Sequence, residues 1–216
     1  MTEQMLQRGR QWSLLCVVIS LVAIWLMMLL RGGGPLDRSI LEALYAGHRP
    51  ALLALARFFT ALGEPTVLIA ACVVCALWLW YAGRGRLGLV LLFIAMIGRG
   101  LSEVQKYSIA RARPGLEAHL VAVKTSSFPS GHAASSMIFY LALALALTAH
   151  LRSHRIVAAG AVILSLLIGT SRVMLGVHWP SDVIGGWSFG MLWVLLTLRP
   201  AERLFRANSE MRRTGL

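Results

Sequence analysis

Residues 12–30 read WSLLCVVISLVAIWLMMLL, an apolar run without an ionisable side chain, entered from Arg8 and Arg10 and closed by Arg31. The apolar core of a secretory leader spans about 7–15 residues and ends at small residues. This run is longer and ends in Met27-Met28-Leu29-Leu30, so an uncleaved transmembrane anchor is expected. Outward from it, further apolar blocks lie at about 65–81, 87–107, 132–151, 156–170 and 183–198, the block at 87 being strongly apolar to Gly98 and then continuing toward Tyr107. At about 20 residues per span, six spans in 216 residues leave mostly short connections and predict one integral membrane domain. Composition agrees. Hydrophobic residues make up 57%, charged residues 14% and mean hydropathy is +0.70, against about 25% charged in soluble domains, which excludes a soluble globular domain and a disordered chain.

Two connections are long. In 31–64, Pro35-Leu36-Asp37 precedes an apolar-periodic stretch, and Pro50 precedes Leu52, Leu53, Leu55, Phe58, Phe59 and Leu62, which predicts short amphipathic outer helices at the interface. The expected fold is therefore all-α, a six-transmembrane-helix bundle with short amphipathic outer helices. The second long connection runs from about Lys106 to Ser130.

The formal charge is +12, a balance suited to nucleic acid, anionic lipid or a phosphorylated substrate. Nucleic acid is not expected as a partner, because much of the charge flanks apolar blocks, as membrane topology requires. Arg8, Arg10, Arg84, Arg86, Arg152, Arg155, Arg199, Arg203, Arg206, Arg212 and Arg213 crowd into short loops and tails. The other cations spread over the two long loops. Since density in short loops carries the orientation signal, both termini are expected inside. Cys16, Cys72 and Cys75 all fall in apolar blocks, and the Cys72-x-x-Cys75 pair reads as small apolar residues of a membrane helix rather than a redox or metal site.

Ionisable residues at membrane depth cost about 2.5–3.5 kcal/mol each on insertion scales, so three groups stand out. Arg99, Glu103, Lys106 and Arg113 share one face if the third span stays helical to Pro114, although a basic face touching lipid phosphates has the same pattern. Phe128-Pro129-Ser130-Gly131-His132 opens the fourth span with Ser130 as N-cap, an anion site with His132 at its mouth, or merely a capping turn. Ser171-Arg172, His178 and Asp182 approach the sixth span. His178 and Asp182 stand four apart, so a carboxylate can hold one imidazole nitrogen and leave the other as base or nucleophile, unless the pair is only structural. Under six spans all three groups fall at one membrane face, which unrelated structural causes would not arrange.

Taken together, Lys106-x6-Arg113-Pro114, Pro129-Ser130-Gly131-His132 and Ser171-Arg172-x5-His178-x3-Asp182 resemble the three signature motifs of the type 2 phosphatidic acid phosphatase superfamily, in its integral membrane branch. The resemblance implies a lipid phosphatase in which His178 attacks phosphorus, Asp182 orients it and His132 protonates the leaving oxygen. It assigns phosphate binding to Lys106, Arg113, Arg172, Ser130 and Gly131, while Ser171 either binds phosphate or caps. It implies no metal and no other cofactor. His48, His119, His150 and His154 are expected to be solvated. The partners implied are the bilayer and a membrane lipid phosphate or diphosphate, and the expected location is a bacterial inner membrane with the site at its outer, periplasmic face. Undecaprenyl diphosphate leads among substrates because Arg111 and Lys124 add outer cations suited to two phosphates. Phosphatidic acid, phosphatidylglycerol phosphate and lipid A are the alternatives, and a lipid-phosphate binding or transport protein without turnover is the rival of another class.

Overall fold

A computed structural model of the chain describes residues 3–148 and 151–214, so His150 lies outside the described residues. Every regular element among the described residues is a helix: α1 Glu3–Arg31, α2 Pro35–Leu44, α3 Pro50–Leu62, α4 Pro65–Tyr81, α5 Gly85–Ile109, α6 Gly131–Thr148, α7 His154–Met174 and α8 Pro180–Thr214. Pro35, Pro50, Pro65 and Pro180 each begin a helix, where the missing N–H would have no intrahelical acceptor and φ is already helical.

Among the described residues, five stretches are long and apolar enough to cross a membrane: Gln11–Arg31, Gly85–Ile109, Gly131–Thr148, His154–Met174 and Pro180–Leu198. The sixth is interrupted. Helices α3 and α4 meet at a 43° bend, where Gly63 and Pro65 bracket Glu64. The connection 31–64 therefore forms the short helices α2 and α3, with α3 continuing at an angle into α4.

Helix α6 is the centre of the bundle, with Ala133, Ala134, Met137, Ile138, Leu141 and Ala142 all buried. It lies against α4, α5, α7 and α8, while α1 packs along α8. In lipid, helix association depends on close backbone approach more than on hydrophobicity. Gly186 and Gly190 of α8 provide it: a Cβ at the first would lie 2.7 Å from the Ser130 carbonyl oxygen, and one at the second 2.8 Å from that of Ala134. The buried face of α5 is Gly88, Leu91, Ile94, Gly98, Ser102 and Lys106, a stripe at helical spacing that ends in a cation.

Helix α5 does not reach Pro114. It ends at Ile109, and Ala110 turns left-handed at φ 49°, a conformation that costs an L-residue about 1–2 kcal/mol. The freed carbonyl of Lys106 accepts from both the Ala110 N–H at 3.0 Å and the Ser126 hydroxyl at 2.6 Å. Arg113 thus belongs to the following loop and does not share a helix face with Arg99, Glu103 and Lys106. Those three do stay on α5, where Arg99 pairs with Glu103 at 3.5 Å.

Replacing Gly190 by Leu should destabilise the bundle by about 1–3 kcal/mol, the usual range for overpacking a tight contact. The check is a lowered Tm of the detergent-purified protein. An unchanged Tm would show that the α6–α8 approach is not close.

Candidate active site

Four helix ends and a bend converge: the C-terminal ends of α5 and α7, the N-terminal ends of α6 and α8, and the α3–α4 bend. At their centre the Asp182 carboxylate is fully buried. Its Oδ1 accepts from Arg111 Nη1 at 2.7 Å, and its Oδ2 from the Trp179 backbone N–H at 2.8 Å and from the Ser127 hydroxyl. His178 Nδ1 lies 3.5 Å from the same Oδ2.

His178 is itself 2% exposed. Arg113 Nη1 stands 3.3 Å from its Nε2. A guanidinium can only donate, so Nε2 must hold the lone pair and Nδ1 the proton, a tautomer assigned from the partners. The lone pair therefore faces the cations and the proton faces Asp182. Burial first, then the charges of Arg113, Lys106 and Arg172, push the imidazole well below the usual histidine range. The Asp182 carboxylate by itself would favour imidazolium. The net direction is the opposite, and the ring is neutral near pH 7.

Three cations surround this nitrogen, each anchored by backbone or hydroxyl oxygens. Lys106 Nζ donates to the Ser126 carbonyl at 2.9 Å and is 4% exposed. Arg113 donates from Nε to the Thr125 carbonyl at 2.7 Å and from Nη1 to that of Val177 at 2.6 Å, while its Nη2 contacts to Thr125 and Ser126 are long, both 3.4 Å. Burial lowers the proton affinity of Arg113, but a guanidinium keeps its charge. Arg172 donates from Nη1 to the Thr60 hydroxyl at 2.7 Å. Its Nε and the Ser130 hydroxyl are buried with no hydrogen-bond partner. The Gly131 position lies beside the Lys106 stem, 3.5 Å from where its Cβ would be. His132, which opens α6, has its Nε2 3.3 Å from Glu64 Oε2.

The expected site residues thus meet at one end of the bundle, with one exception. The Ser171 hydroxyl donates to the Ile168 carbonyl of its own helix at 2.6 Å and is fully buried, so it serves the last turn of α7 instead of facing a phosphate. Arg111 is also elsewhere than expected. Besides Asp182 it donates to the carbonyls of Met28 and Leu29, at 2.9 and 2.6 Å, and lies 4.3 Å over the Phe128 ring. It clamps α1 to the start of α8, with both Nη atoms committed to the fold. Among the described residues no three His, Cys, Asp or Glu side chains stand close enough to share a metal ion.

Four further residues escaped sequence reading. Ser127, Glu64 and Thr60 act across long sequence separations. Asp37 of α2 accepts from the Ser181 N–H at 2.9 Å, from the Ser181 hydroxyl at 2.5 Å and from the Gly33 N–H at 2.7 Å, capping α8 from another helix. Only its position in the first turn of an expected helix marked it.

The family model of the PAP2 superfamily matches residues 87–206, which carry all three motifs. The chain belongs to the PAP2 superfamily. Among curated relatives, the Phosphatidylglycerophosphatase B of Bacillus subtilis (strain 168) is 32% identical over 79% of this chain and 85% of its own length. The Undecaprenyl-diphosphatase of Sulfolobus acidocaldarius is 35% identical over 56% of this chain and 58% of its own length. Among solved structures, a transmembrane PAP2-type phosphatidylglycerolphosphate phosphatase from Bacillus subtilis superposes with a TM-score of 0.76 at 30% identity, covering 86% of this chain and 96% of that one. This PAP2 chain is accordingly a phosphatase and an integral membrane protein.

The direction of the His178 shift fixes the acid limb of its pH profile. A histidine acting as nucleophile must be neutral, so in that role His178 should make kcat/KM rise as it deprotonates, with an acid limb below the ordinary 6.5. Removing a neighbouring cation raises proton affinity, so Arg113→Gln should move that limb to higher pH as well as lower the rate. An unmoved limb would mean that another group controls it.

Proposed function

We propose that the protein is a metal-independent lipid phosphatase working through a phosphohistidine. The observation that carries this reading is the polarised His178, whose lone pair on Nε2 faces Lys106, Arg113 and Arg172 while its other nitrogen faces a buried carboxylate. Binding phosphate requires the cations alone. A histidine whose tautomer is fixed in this way serves a nucleophile, which favours turnover over mere binding or transport.

A phosphoryl group bound by Lys106, Arg113 and Arg172, with the Ser130 hydroxyl and the Gly131 N–H at the start of α6, has its developing charge met by fixed donors. The Nε2 lone pair of His178 forms a bond to phosphorus as the bond to the lipid oxygen breaks, and His132 Nε2 gives its proton to that oxygen. Asp182 steadies the positive charge that appears on the His178 ring. Water then attacks phosphorus, His132 takes a proton from it, the P–N bond breaks and inorganic phosphate departs. Ser171 and Arg111 bind no phosphate in this scheme.

The relatives point to different lipids by name, so the substrate is narrowed by the site itself. With Arg111 engaged by Asp182, one of the two extra cations expected for undecaprenyl diphosphate is taken up by the fold and only Lys124 is left, so a phosphate monoester of a membrane lipid is the reading that fits best. Undecaprenyl diphosphate is the second reading, favoured by the resemblance to an enzyme named for it. The proposed setting is a bacterial inner membrane with the site at the outer face and both termini inside. It is supported by Arg84, Arg86, Arg152 and Arg155 in or beside the short connections at the end of the bundle opposite the site.

Purified protein should release phosphate from lipid phosphates in the presence of EDTA, and His178→Ala should lower kcat by about 10⁴-fold or more without loss of the folded state. Near-normal turnover in that variant would remove the mechanism. Orientation has its own check. In a background lacking Cys16, Cys72 and Cys75, Thr125→Cys should label from outside cells with an impermeant reagent and Ser153→Cys should not, and the reverse pattern would invert the topology.

A further inference from the structure

The two ends of a phosphatase site have opposite electrostatic needs, and the end where the leaving group departs carries features that phosphate binding does not explain. Glu64 lies in the bend between α3 and α4, half-exposed, with Oε2 3.3 Å from His132 Nε2, the nitrogen assigned to the leaving oxygen. The bend holds it there: a Cβ at Gly63 would press on the Ile168 side chain and come within 3.2 Å of His132 Cδ2. A carboxylate at this point works against binding a phosphate dianion and would be a liability if the whole substrate head were anionic.

Next to this pair a shallow, open cleft lies between α4, α5 and α6. Its polar end is made by Pro65, Arg99 and Ser135, the first adjoining Glu64 and the last one turn beyond His132. Leu68, Cys72, Met96 and Phe139 line it further along. The Ser135 hydroxyl, on a residue 8% exposed, is buried without a hydrogen-bond partner. Arg99 brings little free charge, because Glu103 pairs with it at 3.5 Å.

We propose that Glu64 and Ser135 form a leaving-group subsite that selects phosphate monoesters of neutral, hydroxyl-bearing lipid alcohols and disfavours lipid diphosphates. A free hydroxyl on the departing alcohol donates to the Glu64 carboxylate or pairs with Ser135, and the hydrocarbon beyond it enters the apolar cleft. A diphosphate instead leaves as a lipid monophosphate anion, which meets the Glu64 carboxylate at short range. This deepens the phosphohistidine reading and rests on its assignment of His132 to the leaving oxygen.

The test compares kcat/KM on lysophosphatidic acid, whose leaving alcohol is neutral and carries a free hydroxyl, on phosphatidic acid, whose leaving alcohol is neutral and carries none, and on farnesyl diphosphate. Glu64→Gln keeps shape and solubility while removing the charge. It should raise the preference for the diphosphate over lysophosphatidic acid by about tenfold or more, the scale of a unit charge a few ångströms away at a half-exposed site. Ser135→Ala should lower lysophosphatidic acid hydrolysis relative to phosphatidic acid, leaving the ratio of phosphatidic acid to diphosphate unchanged. Ratios unmoved by either variant, or equal losses on all three substrates, overturn the subsite. His178→Ala is run alongside: inactive there with unmoved ratios in the other variants condemns the subsite alone, whereas an active His178→Ala condemns the mechanism on which it rests.

Discussion

A fully buried carboxylate is tolerable only where donors surround it, and Asp182 has them from three directions. Arg111 comes from the loop after α5, Ser127 from the segment entering α6, and the Trp179 N–H from the turn between α7 and α8. Because Arg111 also holds the last carbonyls of α1, one charge ties four parts of the chain to the start of α8. Breaking it would leave a buried charge without compensation, which is why this contact and not the surrounding apolar packing sets the geometry of the site. Ser130 joins the same knot through its N–H, which donates to the Asp182 carbonyl at 3.0 Å.

Around this anion the protein gathers more positive charge than one carboxylate neutralises. Lys106, Arg113 and Arg172 would repel one another were they not each bound to carbonyl or hydroxyl oxygens of Ser126, Thr125, Val177 and Thr60. Those dipoles hold the cations without cancelling them. The consequence is a field that favours a phosphate dianion and a neutral His178, the two conditions that nucleophilic attack on phosphorus requires.

Rigidity and access are divided between different elements. The α6–α8 contact, drawn close by Gly186 and Gly190, fixes the helix that begins two residues after His178 to the helix that begins at Gly131. The α3–α4 bend and the cleft beside it lie next to His132. The proposed chemistry needs a fixed histidine and an open approach, and these two features do not share residues.

The apolar blocks were legible from composition alone, because a bilayer core demands about 20 apolar residues per helix and no packing detail alters that demand. The i, i+4 relation of His178 and Asp182 and the start of α6 at Gly131 are local and were likewise readable. What the sequence could not supply is whatever depends on neighbours far apart in the chain. Arg113 was expected on the α5 face, but satisfying the Lys106 carbonyl with Ser126 and turning Ala110 left-handed ended the helix first. Arg111 looked like a substrate cation until Asp182, 71 residues away, claimed it. Glu64 meets His132 across 68 residues and Asp37 meets Ser181 across 144. Periodicity reports neighbours three or four residues apart, so the sequence by itself determined the helices and their chemistry-bearing positions. Only the packing of those helices decided which charge faces the substrate and which holds the fold.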